Sequence, residues 1–237
     1  MKHRIAFVLF VSLGLGLWTG CKPSPPPPAE VGKDLIARHE AVPLNLTTNY
    51  TTPVSYFDQI TQFPAWKTVP RGPQVFAGVP LDIEGMICLW GEGNATKLKI
   101  VFPEARLGIP LYQKFDTLYV YHGAFFKSPN GTPVCAVVFR YEDGSSVTNL
   151  LRYGEDIIDW VANSGQPVIG PTGPHSKLAW VGGSFSTTQK KPLRLCLTAI
   201  ENPQPALAVQ TVDLYSCKSW TAPCIMAMTP GKAGLLK

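Results

Sequence analysis

Prolines and glycines recur along the whole chain and limit what it can fold into. The 23 prolines and 21 glycines interrupt the sequence too often for long helices to fit between them. Short apolar and β-branched runs lie between these breaks, which is the pattern of β-strands bounded by turns. We predict strands at residues 81–83, 86–90, 115–122, 134–141, 146–151, 177–181, 193–200, 208–215 and 225–229.

Two turns support this interpretation. The Glu142-Asp143-Gly144-Ser145 stretch joins two strand-like runs, and Asp-Gly supplies the positive φ angles that a tight hairpin needs. Residues 129–131 form a second turn of this kind, and only residues 156–161 have a briefly helical pattern. We therefore predict an all-β fold, an antiparallel β-sandwich with one short helical turn and long functional loops at one end.

The N-terminus has the charged, apolar and small-residue order of a signal peptide. A basic start is followed by an apolar run of 13 residues from Ile5 to Leu17, too short for a transmembrane helix. Gly20 directly before Cys21 resembles the lipobox of bacterial lipoproteins, which implies a diacylated Cys21 as the mature N-terminus. Ordinary signal cleavage, with Cys21 free or bridged, stays open as the alternative.

Four regions follow from these signals. Residues 1–20 are expected to be a lipoprotein signal peptide, and residues 21–42 a linker that Pro25 to Pro28 stiffen into an extended spacer. Residues 43–229 are expected to be the β-sandwich, and residues 230–237 a C-terminal tail. The expected location is the bacterial cell envelope, with the membrane as a partner through the lipid at Cys21.

Charge and cysteine spacing exclude two classes of function. The formal charge of +5 falls to +3 without Lys2 and Arg4, and no basic run appears, so we expect no nucleic-acid partner. No Cys-x-x-Cys motif or Cys/His cluster occurs, so we expect no metal and no cofactor. Buried free thiols are expected at Cys88, Cys135 and Cys196, whereas Cys217 and Cys224 are candidates for a disulfide.

Six stretches, spaced in order along the mature chain, carry a resemblance to a known family. They are residues 74–83 (QVFAGVPLDI), 114–124 (KFDTLYVYHGA), 140–145 (RYEDGS), 153–160 (YGEDIIDW), 179–182 (AWVG) and the strand from Arg194 into 201–205 (ENPQP). Together they resemble the galactose-binding-like β-sandwich domains of the novel putative carbohydrate-binding module (NPCBM) type. The resemblance implies a jelly-roll sandwich and carbohydrate as the ligand.

Residues 153–160 supply the richest candidate sugar site. Sugar recognition combines an aromatic face with planar polar side chains that make paired hydrogen bonds to adjacent hydroxyls. Asp156 and Asp159 are three positions apart and would share one face of a helical turn beside Trp160. The alternative is structural, with Asp156 capping a loop and Trp160 filling the edge of the core.

Four further residues complete the candidate ligand site. Glu201 and Asn202 end a strand that carries Arg194, and they are candidate hydrogen-bonding groups or ordinary strand-terminating turn residues. His122, at another strand end, is a candidate for sugar binding or a structural histidine.

The sequence favours binding over catalysis. Glu142, Glu155, Asp156, Asp159 and Glu201 supply the carboxylates that a glycosidase pair would need, but no Gly-x-Ser-x-Gly elbow, P-loop or dinucleotide fingerprint occurs. We therefore predict a non-catalytic carbohydrate-binding module. A cell-envelope scaffold or protein-binding sandwich is the first alternative, and a glycan hydrolase is the second.

Overall fold

Twelve β-strands make up about half of residues 41–53, 67–184 and 191–237, the parts of the chain that the computed structural model describes. All of these residues lie in the compact unit formed by residues 38–237. The strands are β1 (Thr52–Pro53), β2 (Gly72–Phe76), β3 (Val79–Ile83), β4 (Gly85–Cys88), β5 (Ala105–Gln113), β6 (Thr117–Phe125), β7 (Pro133–Tyr141), β8 (Ser146–Arg152), β9 (Ser176–Ser184), β10 (Pro192–Glu201), β11 (Val209–Ser216) and β12 (Ala222–Gly231).

The strands form three antiparallel sheets. The six-stranded sheet has the order β1-β4-β12-β6-β10-β9, and the four-stranded sheet has the order β5-β11-β7-β8. Strands β2 and β3 form a separate hairpin. The predicted all-β antiparallel sandwich is confirmed.

Two hydrophobic clusters lie on opposite sides of the six-stranded sheet. Leu118 and Val120 of β6 pack into the cluster shared with the four-stranded sheet, and their neighbours Tyr119 and Tyr121 pack into a second cluster with the β2–β3 hairpin. Because successive side chains of a strand point to opposite faces, a strand covered on both sides has no solvent-facing positions. All nine residues of β6 are buried accordingly.

The sequence pattern missed two substantial strands. Strand β2 contains Gly72 and Pro73, and β5 contains Gly108 and Pro110, which are residues that normally end a strand. Strand β5 tolerates them because it is an edge strand whose pairing with β11 has two register shifts.

The two predicted turns differ in what they connect: one joins two strands of the same sheet, and the other joins strands of different sheets. Glu142 to Ser145 joins β7 to β8 as a hairpin, with Gly144 at φ 85°, as predicted. Gly131 adopts φ 83°, but its turn joins β6 to β7, which lie in different sheets. This second turn therefore carries the chain from one layer of the sandwich to the other.

The predicted helical turn at residues 156–161 is wrong. This segment begins with a turn at residues 154–156 and continues through isolated bridges to β-strand neighbours. A π-helical turn occurs instead at Asn94–Leu98. Within the described ranges, the helical segments are too short or too polar to cross a membrane.

The predicted pairing of Cys217 with Cys224 is also wrong. Cys224 forms a disulfide with Cys88, its direct partner across β4 and β12. Cys217 is a free thiol, and so are the buried Cys135 and Cys196, as predicted for the latter two. The prediction of a free thiol at Cys88 is wrong. Its apolar neighbours in the sequence give no sign of the cross-strand partner, which follows 136 residues later.

The C-terminal residues belong to the packed unit and do not form a tail after residue 229. Strand β12 continues to Gly231, and the Tyr119 hydroxyl donates a hydrogen bond of 2.5 Å to the Lys232 carbonyl. Leu235 and Leu236 pack on the cluster beneath the β2–β3 hairpin. The expected signal peptide and residues 21–40 of the expected linker lie outside the described residues.

Candidate functional site

Strand β10 separates the predicted site residues into groups at its two ends. Arg194 lies near the start of β10, and Glu201 lies at its end opposite Thr117 of β6. Seven residues of extended strand span roughly 23 Å. Glu201 and Asn202 are therefore far from the end of the sheet that holds Arg194.

Trp160 is a core residue. Its side chain is 2% exposed and packs edge-on against Phe125, with 4.0 Å between ring centroids. The backbone N–H of Trp160 donates to the Ala124 carbonyl, and Gly123 leaves the space that the indole occupies, because a Cβ there would lie 3.1 Å from the Trp160 Cβ. The ring consequently offers no free face for stacking on a sugar, which corrects the expected role of Trp160.

Asp159 and Arg194 meet through the backbone and not through an ion pair. The Arg194 Nε donates to the Asp159 carbonyl at 2.9 Å, and its second nitrogen donates to the Ile169 carbonyl at 2.7 Å. The Asp159 carboxylate accepts the Val161 N–H at 2.9 Å. Burial raises the pKa of Asp159 to about 6, against the opposing effects of the Val161 N–H, Lys127 and Arg194. These contacts hold the loop before β9 against β10.

A chain of hydroxyl groups links Asp156 to His122. The His122 Nε2 lies 2.7 Å from the Thr198 hydroxyl, which lies 2.8 Å from the Ser176 hydroxyl. Ser176 in turn donates to one carboxylate oxygen of Asp156 at 3.2 Å, and the other oxygen accepts the Arg152 N–H. His122, Thr198 and Ser176 are buried, so these groups join strands and are closed to a ligand.

Asn202 organises the loop that leaves β10. Its side-chain oxygen accepts hydrogen bonds from the Tyr141 hydroxyl at 2.6 Å and the Gln204 N–H at 3.0 Å. Its amide group donates to the Phe115 carbonyl at 2.9 Å. Asn202 is buried, whereas Glu201 beside it is exposed.

The predicted residues consequently do not form one solvent-facing hollow. They occupy the Arg194 end of β10, the buried hydroxyl chain and the Asn202 loop. Of the seven, Glu201 is the one with an exposed side chain. The structural alternatives proposed for Trp160 and Asn202 describe the observed contacts.

A different group of polar and aromatic side chains is exposed together on the four-stranded sheet. We call this surface the outer face, defined by the residues of β5, β11, β7 and β8 that point away from the core: Tyr112, Thr211, Asp213, Tyr215, Ala136, Arg140, Thr148 and Leu150. The strand register orders them in rows. Leu150, Ala136 and Tyr215 lie side by side, and Thr148, Val138 and Asp213 form the next row.

Arg140 and Asp213 form the centre of the outer face. The Arg140 Nε donates to one Asp213 oxygen at 2.9 Å, and the Gly108 N–H donates to the other at 2.8 Å. Hydrogen bonds to Asp213 and then to Tyr215 raise the pKa of Arg140. Asp213 is nearly buried while 45% of the Arg140 side chain is exposed, so the acid orients a guanidinium that faces solvent.

The sequence analysis places Arg140 in the predicted strand 134–141 and in the RYEDGS stretch of the resemblance, and it places Asp213 and Tyr215 in the predicted strand 208–215. The sequence signal that could have found these residues is the alternation of outward and inward side chains along each strand. Arg140 and Asp213 are charged residues at outward positions of strands whose inward neighbours Phe139, Val212 and Leu214 are fully buried. Their pairing required the register of β7 with β11, which the sequence alone does not provide.

An open cleft lies elsewhere, at the β2–β3 hairpin. It has a volume of about 580 Å³ and runs along the β2–β3 hairpin, with Pro43, Pro73, Val75, Pro80 and Leu81 as its apolar lining. Gln74 and Asp82 are its polar residues. We place more weight on the outer face, because the cleft lacks an aromatic side chain and a basic group.

The described residues contain no group of three or more His, Cys, Asp or Glu side chains arranged to hold a metal ion. No protein-family model matches the chain, and no curated protein matches it in sequence. The resemblance to NPCBM-type domains therefore stays a prediction.

Proposed function

We propose that this chain is a carbohydrate-binding module that holds its ligand on the outer face of the four-stranded sheet. The observation that carries the proposal is the solvent-facing Arg140 guanidinium, oriented by Asp213 and adjoining Tyr215. Carbohydrate was the ligand that the sequence resemblance implied. The proposed binding residues differ from those expected from the sequence.

The chemistry of these three side chains suits a sugar. A guanidinium presents several N–H donors in a rigid plane, and it binds adjacent oxygen atoms in pairs. A partly exposed tyrosine, as Tyr215 is, supplies an apolar ring face together with a hydroxyl group. Since both Asp213 oxygens already accept hydrogen bonds, Asp213 supports the position of Arg140 and leaves the ligand to Arg140 and Tyr215.

The arrangement of the outer face supports binding more than catalysis. A carboxylate pair for glycoside hydrolysis needs two groups facing one bond at about 5 to 9.5 Å. Asp213, held by Gly108 and Arg140, is the acid at the centre of this face. Of the other carboxylates considered from the sequence, Glu142 accepts the Ala208 N–H, Asp156 belongs to the hydroxyl chain and Asp159 accepts the Val161 N–H.

Location is part of the same proposal. A lipid on Cys21 would hold the module at a membrane of the cell envelope, and acyl chains contribute about 0.8 kcal/mol per buried methylene. A proline-rich spacer between the lipid and the sandwich would let the outer face reach envelope or extracellular glycans.

A glycan array with the purified full-length protein tests the proposal. We expect binding to at least one glycan, and we expect Arg140→Ala and Tyr215→Ala each to weaken it at least tenfold, because a hydrogen bond to a charged group contributes roughly 1.5–3 kcal/mol. Lys177→Ala is the matched control, since Lys177 is an exposed cation on β9 of the other sheet. Absence of binding to every glycan, or full binding by Arg140→Ala, would overturn the proposal.

A further inference from the structure

We infer that the outer face binds the interior of an extended polysaccharide, with Tyr112 as a second aromatic platform some distance from Tyr215. This inference rests on the proposed function and specifies its ligand class. It commits to a chain of several sugars lying along β5 and β11, and not to a single terminal sugar.

Tyr112 has two unusual properties. Its side chain is 68% exposed on the edge strand β5, whose inward residues Ile109 and Leu111 pack into the core. Its backbone also adopts φ 50°, in the left-handed region that bulky residues avoid. Tyr112 lies where the register of β5 against β11 shifts between Pro110 and Gln113, so its left-handed backbone accompanies a β-bulge, while its ring is largely in solvent.

A strained backbone beneath an exposed ring suggests a role in binding. Left-handed conformations of non-glycine residues cost conformational free energy, and they concentrate at ligand-binding and catalytic positions. Glycine adopts this region without strain and would be the residue of choice if the position were structural alone. The tyrosine therefore gives the site something that glycine lacks, which is an aromatic ring.

The strand register gives the spacing of the two tyrosines. Tyr215 lies opposite Ala105, and Val209, six residues away on β11, lies opposite Gln113, the residue after Tyr112. At the usual rise of a strand the two rings are roughly 17–20 Å apart along the sheet. This separation exceeds one sugar ring and suits a chain that contacts both platforms.

The surface between the tyrosines is open. Gly108 has no side chain, and Leu107 beside it is 56% exposed. The clefts at the β2–β3 hairpin and near residues 51–53 lie away from this path. An open path with an aromatic ring at each end admits a polymer, whereas a pocket would select a chain end.

Affinity electrophoresis of the full-length protein tests the inference. The probes are four soluble polysaccharides (a β-glucan, a xylan, a galactomannan and an alginate), followed by oligosaccharides of one to six sugars derived from the polymer that retards the protein. We expect affinity to rise at least tenfold from two to six sugars. Tyr112→Gly should lose at least tenfold in affinity for the polymer, and Tyr112→Phe should keep it.

Thermal unfolding of Tyr112→Gly separates binding from folding. Since glycine relieves the left-handed strain, we expect its Tm to equal or exceed that of the parent chain. Equal affinity for one sugar and for the polymer, or full polymer affinity in Tyr112→Gly, overturns the inference while Arg140→Ala still tests the proposed function. If none of the probes retards the protein, the extended-chain inference fails for these polymers. The glycan array then decides the proposed function independently.

Discussion

The imidazole of His122 on β6 is linked to Thr198 on β10, the neighbouring strand of the same six-stranded sheet, by a hydrogen bond of 2.7 Å. Its other ring nitrogen has no partner among the described residues. The bond to Nε2 leads away through Ser176 to Asp156, so no carboxylate contacts the ring directly. Burial lowers the pKa of His122 to about 3, and the ring is therefore neutral in the folded protein near pH 7.

Stability should fall in acid because of His122. Its pKa is about 3 when folded and about 6.5 when unfolded, so the unfolded chain binds one more proton between these values. The free energy of unfolding is then lost as pH falls below about 6.5, by at most about 1.4 kcal/mol per pH unit from this group. Urea denaturation at pH 7.5, 5.5 and 4.5 measures the slope.

His122→Gln should flatten that slope, because glutamine does not titrate. The variant is expected to be less stable at pH 7.5, so the comparison concerns the pH dependence and not the absolute stability. His175→Gln is the matched control, since His175 is exposed. An unchanged slope in His122→Gln would contradict the prediction.

The titration of Asp159 should have the opposite effect, lowering the stability of the folded protein as pH rises. Its pKa is raised from 3.8 to about 6, so the folded state prefers the protonated carboxyl, and the corresponding stabilisation is lost as pH rises from about 4 through 6. Asp159→Asn keeps an oxygen that accepts the Val161 N–H without the charge. We expect this variant to be more stable than the parent by about 1–3 kcal/mol at pH 8 and by less at pH 4. Lower stability of the variant at pH 8 would show that the ionised carboxylate is favoured.

The Cys88–Cys224 disulfide should be a major source of stability. It joins residues 136 positions apart, and closing a loop of that length restricts the unfolded chain by up to about 5 kcal/mol. We expect the double variant Cys88→Ala/Cys224→Ala to lose about 2–5 kcal/mol in denaturant unfolding. Cys217→Ser, which leaves the disulfide intact, should lose far less. A non-reducing peptide map that links Cys217 to Cys224 would refute the pairing.

Replacement of Trp160 should reduce stability and not ligand recognition. Removing a buried indole typically costs about 3–5 kcal/mol, and Trp160→Phe should cost less because it keeps an aromatic ring beside Phe125. Folded Trp160→Phe is expected to bind glycans as the parent chain does. Selective loss of glycan binding with an unchanged Tm would contradict this prediction and indicate that Trp160 contacts the ligand.

Much of the fold could be predicted because many of its strands are apolar and β-branched runs bounded by turn residues. The runs around Leu118 to Tyr121 and Leu193 to Ile200 were recognised as strands from their apolar content. Strands β2 and β5 were missed because Gly72, Pro73, Gly108 and Pro110 resemble turn residues. An edge position removes the need for every N–H to be paired, and this depends on the neighbouring strands.

The candidate site was harder to predict than the fold. A tryptophan next to an aspartate, as in Asp159-Trp160, has the composition of a sugar platform and also of a core residue beside a loop cap. Burial distinguishes the two, and burial depends on which residues pack from distant parts of the chain. Arg140 and Asp213 are 73 positions apart, so their pairing arises only from strand register.

Because the six-stranded sheet is covered on both faces, its strands should tolerate fewer substitutions than those of the four-stranded sheet. Strand β6 has nine consecutive buried residues, whereas β8 alternates between exposed and less exposed positions. Substitutions should therefore be tolerated at alternate positions of β8 and at few positions of β6. New ligand specificities can arise by replacing outward residues of the four-stranded sheet while the double-sided layer behind it is inherited unchanged.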